Sequence, residues 1–325
     1  SVLVEIAGPV GKIEIDYDQG DTAGQVLFVT DVHFTAQPNG DDDTFVFENG
    51  FGNDTVVGGE SGEVDGDTLD ASALKDLTVV FSATDAGTLT DGADTVSFTE
   101  IENLNLGGGD DFVSAGADTD GVDVAAGAGA DTIWGGIGDD TFDGGQGDDE
   151  IFGDAGADMI LGGDGNDDLG GNTGDDTILG GAGNDWIQGN EGANLLSGEA
   201  GDDTFEILTG QGGSDTISGG ETGEVDGDAL VFTGSDGVQV TLSGDEAGSY
   251  TAGAAVGSFT GIETVDLTDQ ADVFDGAASG ADITIDAGAG ADSLTGGAGD
   301  DALTGGDGYD TIYGGAGADT IVGGD

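Results

Sequence analysis

Between Ala126 and Glu206 the chain writes one nine-residue pattern nine times without an insertion, and that regularity leaves few folds open. Position four is glycine in every copy: Gly129, Gly138, Gly147, Gly156, Gly165, Gly174, Gly183, Gly192 and Gly201. Position six is Asp131, Asp140, Asp149, Asp158, Asp167, Asp176, Asp185, Asn194 and Asp203, so the single departure keeps an oxygen. Position eight is apolar throughout: Ile133, Phe142, Ile151, Ile160, Leu169, Ile178, Ile187, Leu196 and Phe205. A second run from Ala287 places Asp292, Asp301, Asp310 and Asp319 at position six and Leu294, Leu303, Ile312 and Ile321 at position eight.

Glycine at positions one, two and four suits a tight turn with positive φ. Where position two is not glycine it is Asp154, Asn172, Asn190 or Glu199, and Asp and Asn tolerate that geometry better than most residues. The tripeptide after the turn alternates polar and apolar like a short half-buried strand. Two such strands and two turns make one rung of a flattened coil, with the position-eight residues stacked in a narrow core. One core side chain per nine ordered residues falls far short of the conformational entropy that folding removes. The bare chain is therefore expected to be largely unfolded.

A longer unit contains these repeats. GGESGEVDGD at 58–67 returns as GGETGEVDGD at 219–228, FTEIENLNL at 98–106 as FTGIETVDL at 259–267, and GAGAD at 127–131 as GAGAD at 288–292. Each pair is offset by the same 161 residues (219 − 58), so the chain is an array of a long module seen about twice.

Charge decides what completes the fold. The chain holds 69 Asp and Glu against 2 Lys and no Arg, a formal net charge of -67. At physiological salt the screening length is about 8 Å, so packing these carboxylates together demands a stoichiometric cation. Without clustered Lys or Arg there is no footprint for nucleic acid or anionic lipid, and no apolar run suits direct insertion into a membrane. With no cysteine, disulfides and thiolate metal sites are excluded. A hard cation held by oxygen remains, and calcium takes six to eight oxygens from carboxylates and backbone carbonyls. Its binding energy would be folding energy.

The pattern GGxGxDxUx resembles the calcium-binding nonapeptide of the repeats-in-toxin (RTX) family, with GGIGDDTFD, GGQGDDEIF and GGDGYDTIY as the best copies. The resemblance implies an all-β parallel β-roll, or β-solenoid, with calcium held in the Gly-Asp turns. Metal ligands are then expected at Asp54, Asp131, Asp140, Asp149, Asp158, Asp167, Asp176, Asp185, Asp203, Asp215, Asp292, Asp301, Asp310 and Asp319. It further implies type I secretion from a bacterium and folding in extracellular calcium, at the cell surface or beyond it.

The expected organisation is an N-terminal β segment at 1–37, a short RTX-like run at 38–63 and a wider β-solenoid insert at 64–125. The nine nonapeptides follow at 126–206, then an RTX-like connector at 207–224, a second insert at 225–286 and a second roll at 287–325. The inserts are expected to continue the roll in wider rungs, with Ile101-Glu102 and Ile262-Glu263 in an internal strand and their acids on a solvated face. The chain starts at Ser1 and stops at Asp325 within a repeat, as a piece of a longer or processed polypeptide would.

No enzyme is expected. His33, the single histidine, reads as a strand-edge polar residue, and acid pairs such as Asp139 and Asp140 recur too regularly to be a catalytic pair. Trp134, Trp186, Tyr309 and Tyr313 fall outside the core column and could meet a partner or a neighbouring copy. The repeated module favours a calcium-stabilised structural protein that self-associates into a surface layer, filament, matrix or adhesin stalk. The alternative is the folding and export module of a larger toxin or hydrolase. Ice or surface binding through a flat solenoid face is disfavoured because the outward positions form no regular Thr ladder.

Overall fold

The computed structural model describes residues 44–48, 51–57, 66–223, 225 and 227–324. The expected N-terminal β segment 1–37, with His33, lies outside the described residues, as do parts of the run 38–63. Among the described residues there is no helix, and most strands pair in parallel. The fold is all-β, a parallel β-roll.

The chain divides into two compact units, residues 1–146 and 147–325. In the first, Thr44–Val46, Thr68–Asp70, Asn103–Asn105, Asp123–Ala128 and Thr141–Gln146 form one parallel layer. The facing layer runs Asn53–Val57, Thr95–Thr99, Ala86–Thr90, Thr78–Ala83, Phe112–Ser114 and Thr132–Gly136. In the second unit, one layer is parallel from Glu150–Asp154 through Asp168–Thr173, Trp186–Glu191 and Thr204–Leu208 to Thr320–Val322. The other begins Met159–Asp164, Thr177–Ala182, Leu195–Ala200 and Gly213–Thr222, and ends Val273–Asp275, Ser293–Gly297 and Thr311–Gly315.

Register follows from the repeat. Met159 sits beside Thr177 and Glu150 beside Asp168, so one rung is two nonapeptides and each strand lies on the one 18 residues later. In the second unit stacking puts the position-eight side chains from Ile151 to Phe205 on their equivalents, and all nine from Ile133 to Phe205 have no exposed surface. Leu294 and Leu303 are buried as well, whereas Ile312 is half-buried and Ile321 is 49 % exposed. Those last strands are paired on one side only among the described residues.

The inserts differ from simple wider rungs. Each contributes an antiparallel meander inside an otherwise parallel layer: Thr78–Ala83, Ala86–Thr90 and Thr95–Thr99 in the first unit, Val238–Gly244, Ala247–Ala252 and Ala255–Thr260 in the second. Asp85 (φ 51°) and Glu246 (φ 50°) turn the first hairpin of each at positions 161 residues apart. Edge-to-face pairs Phe81–Phe98, with centroids 5.3 Å apart, and Phe232–Tyr250, at 5.2 Å, fill the space beneath. Ile101 and Ile262 are buried, but they and Glu102 and Glu263 precede the strands Asn103–Asn105 and Thr264–Asp266 rather than lying in them.

Candidate metal centres

Each turn is built by its glycines, for two different reasons. Position four is held at positive φ, for example Gly147 at 124°, Gly165 at 152° and Gly174 at 142°, where an L side chain is strained. Position two is also left-handed, and Asp154 (69°), Asn172 (72°), Asn190 (64°) and Glu199 (76°) accept it. Position one, expected to be glycine for the same reason, takes no positive φ. It is glycine because the position-six carboxylate occupies the space a Cβ would fill: Asp167 against Gly162, Asp176 against Gly171, Asp185 against Gly180.

The carboxylates form ladders along the turn edges. The N–H of Asp149 donates to Asp167 Oδ1 at 2.8 Å, Asp167 to Asp185 at 2.9 Å, Asp185 to Asp203 at 2.9 Å, and Asp203 to Asp228 at 2.8 Å. Asp228 then donates to Glu263 Oε2 at 2.7 Å. On the other edge Asp158 donates to Asp176 at 2.9 Å and Asp176 to Asn194 Oδ1 at 3.0 Å. In the second run Asp272 donates to Asp292 at 2.8 Å, Asp292 to Asp310 at 3.1 Å and Asp301 to Asp319 at 3.2 Å. In the first unit Asp111 donates to Asp131 at 2.7 Å and Val122 to Asp140 at 2.8 Å.

One oxygen of each rung residue is thereby used. The second oxygen of Asp167, Asp176, Asp185, Asp292 and Asp310 is buried and accepts no hydrogen bond. Burial pushes the Asp185 carboxyl up to about 7, against the lowering effect of the Asp167 N–H and with help from the charges of Asp167 and Asp203. Burial likewise lifts Asp176 to about 6, and raises Asp131, Asp140, Asp167, Asp292 and Asp301. A buried carboxylate with a vacant lone pair needs a proton or a cation. Lys75 is exposed, and Lys12 lies outside the described residues.

Among the described residues, no three His, Cys, Asp or Glu side chains converge on one point. A metal in these turns must therefore take backbone carbonyls beside one or two carboxylates. Such carbonyls are at hand: Gly147 O lies under Gly165, and Gly163 O under Gly181. An all-oxygen, mixed carboxylate and carbonyl set suits calcium and not zinc.

Not every expected ligand sits in such a turn. GGIGDDTFD closes on itself: neither Gly136 nor Gly138 has positive φ, and Gly136 N–H donates to Asp140 Oδ2 at 3.0 Å. The turn packed against Gly138 is that of Asp120 and Gly121 in the insert, not a nonapeptide turn. Asp215 has both oxygens engaged, Oδ2 by the Tyr250 hydroxyl at 2.8 Å and Oδ1 by the Asn194 amide at 2.9 Å. Asp54, buried in Asn53–Val57, is its counterpart 161 residues earlier. Asp310 and Asp319 do sit in such turns, against Gly305 and Gly314, but are half-buried.

Other residues were missed. Asp67, Asp111, Asp228 and Asp272 in the inserts are buried ladder members, not a solvated face. Their signal was the offset itself, since Asp67 returns as Asp228 and Asp111 as Asp272. A second ladder runs through position five, where Asn166 N–H donates to Asp148 Oδ1 at 2.8 Å and Asn184 N–H to Asn166 Oδ1 at 2.8 Å.

A family model described as the RTX calcium-binding nonapeptide repeat (4 copies) matches residues 123–151, 134–169, 143–178, 170–205, 206–221, 284–312 and 296–325. The chain carries RTX calcium-binding repeats. Repeats of this kind bind calcium, so the chain contains a calcium-binding β-roll module. RTX repeats are typical of secreted bacterial proteins, and no helix among the described residues is long and apolar enough to cross a membrane. No curated protein matches the chain.

Proposed function

We propose that this chain is a non-enzymatic structural protein of the bacterial exterior. Its RTX modules fold on extracellular calcium and assemble into a surface layer, filament, matrix or adhesin stalk. The observation that carries this reading is the row of buried carboxylate oxygens without a hydrogen bond at Asp167, Asp176 and Asp185, in a chain of net charge -67. Calcium between rungs supplies both the missing ligand and the missing charge. The expected ligands are the position-six aspartates of the nonapeptide turns, with Asp140 and Asp215 the weakest members of the set because their oxygens are already engaged.

The repeated module supports an assembling role. The bond from Asp67 N–H to Glu102 (2.6 Å) recurs from Asp228 to Glu263 (2.7 Å), and that from Leu77 N–H to Asp111 (2.6 Å) recurs from Val238 to Asp272 (2.6 Å). A tail that serves folding and export alone needs only a few nonapeptides, whereas repeated modules provide length.

A calcium titration followed by far-ultraviolet circular dichroism and light scattering, with magnesium as control, tests this. The expected result is coil converting to β structure at roughly 0.1 to 1 mM calcium, with growth of large particles. Folding at constant particle mass would favour the effector-tail role instead, and β structure already complete in chelator would overturn the calcium argument.

A further inference from the structure

We propose that the layer carrying each meander presents an outer face almost free of charge, through which calcium-loaded copies of this chain pack on one another. The inference rests on the reading of the chain as a calcium-folded, assembling protein, and it names the surface that assembles.

Strand pairing brings together outward residues that are far apart in sequence. In the first unit one row across six strands runs Thr55, Ser97, Thr88, Val80, Ser114 and Trp134. The neighbouring row, from Asn53 to Thr132, is likewise uncharged. The equivalent row of the second unit runs Thr216, Ser258, Ser249, Thr241, Asp275 and Thr295. Its neighbour, from Ser214 to Ser293, has no charge, so Asp275 is the single charged side chain in the four rows.

β-Propensity does not explain this, because the opposite outer face of each unit carries acids at the same kind of position. Asp70, Asp123 and Asp143 stand there in the first unit, and Glu150, Asp168 and Asp286 in the second. In a chain that is 22 % charged with almost no cations, two copies repel through every surface that bears carboxylates. The meander face is where like-charged copies can approach while burying the fewest acids, with Asp275 alone in these rows. Six strands about 4.8 Å apart and two rows roughly 7 Å apart make a patch on the order of 400 Å². That lies below the ~800 Å² per partner of a standard interface. Each contact is therefore weak and reversible, and assembly grows with the number of faces engaged.

Sedimentation velocity on the full chain in saturating calcium, over a range of protein concentrations, tests the proposal. The comparisons are T88E/S249E, which places one carboxylate at the centre of each face, and T284E, which adds one to the opposite face of the second unit. Parent and T284E are expected to gain mass together, whereas T88E/S249E needs at least about tenfold more protein to reach the same mass. A parent that stays monomeric while folded, a T88E/S249E variant that assembles like the parent, or a T284E variant equally weakened would overturn it. Adsorption of a monomeric parent to neutral polysaccharide would overturn it too, by giving the face a different occupant. Circular dichroism on the same samples reports folding, so failure of the calcium reading and failure of this one are distinguishable.

Discussion

Replacing Asp185 by Asn should have opposite effects with and without calcium. Asp185 Oδ1 accepts the Asp167 N–H at 2.9 Å, a role that an amide oxygen keeps. Its other oxygen is buried without a hydrogen bond, and the residue is 3 % exposed. Lifting the carboxyl from 3.8 to about 7 corresponds to roughly 4 kcal/mol at 1.36 kcal/mol per unit. Halving that for water reaching the turn edge leaves about 2 kcal/mol as the cost of holding the charge near neutral pH. D185N removes that cost, and Asn194 shows where the new amide can go, since its Nδ2 donates to the ladder residue of the next rung. In chelator, with folding driven by an excluded osmolyte, the variant should fold about 2 kcal/mol more readily than the parent. In calcium it lacks a charged ligand and should need roughly tenfold more metal, about 1.4 kcal/mol. Dichroism titrations with osmolyte and with calcium measure both. Destabilisation of similar size in both conditions would mean that the carboxylate serves packing, and the metal argument at this turn would fall.

Other perturbations separate the parts of the design. G174A puts a Cβ at φ 142° against the Gly156 carbonyl and should lower the calcium-loaded stability by about 3 kcal/mol or more, whereas N172G, at φ 72°, should stay within about 0.5 kcal/mol in a thermal melt. Y250F removes the donor to Asp215 Oδ2 and should cost about 1.5 to 3 kcal/mol, to nearly the same extent in chelator with osmolyte as in calcium, because protein donors already engage both Asp215 oxygens. The metal-free chain should fold more readily as pH falls from neutrality towards 5. Asp185 and Asp176 have folded values raised to about 7 and about 6, so their contribution is present in full below 3.8 and is lost as pH rises through 6 to 7. Bound calcium holds the same groups ionised, so the loaded chain should lose stability on acidification. Equal pH slopes in chelator and in calcium would contradict this.

What the sequence revealed depended on distance along the chain. The core column and the turn carboxylates were readable because each partner lies 18 residues away in an unbroken period. Asp111 and Asp272 were not, since their donors, Leu77 and Val238, are 34 residues away across a meander without the nine-residue beat. The hairpins were passed over because their alternating strands read equally well as parallel rungs, although Asp85-Ala86-Gly87 and Glu246-Ala247-Gly248 carry the turn chemistry. GGIGDDTFD matched the motif well yet closes differently, because a turn is shaped by the rung beneath it as well as by its own glycines.

The two halves of the module should also respond differently to removal of calcium. In the nonapeptides each nine-residue copy adds one position-eight side chain to the core and leaves carboxylate oxygens without hydrogen bonds, as at Asp167 and Asp176, so stacking without metal concentrates charge faster than it buries apolar surface. The inserts are built otherwise. Leu74, Leu77, Val79, Phe81, Leu89 and Phe98 are all buried within one meander and its entry. Asp118 is satisfied by the N–H groups of Asp85 (2.8 Å), Asp120 (3.0 Å) and Gly121 (3.2 Å), and Asp272 by Val238 (2.6 Å) and Thr268 (2.9 Å). Apolar contact and satisfied acids such as Asp118 and Asp272 lower the inserts' dependence on metal, although Asp111 keeps a buried second oxygen without a hydrogen bond. Hydrogen exchange in chelator should therefore find residual protection in Thr78–Ala83 and Val238–Gly244, with amides between 147 and 206 exchanging freely until calcium is added. Uniform exchange along the chain in chelator, or protection of the nonapeptides before the meanders, would show that the metal-dependent and metal-independent parts are not divided in this way.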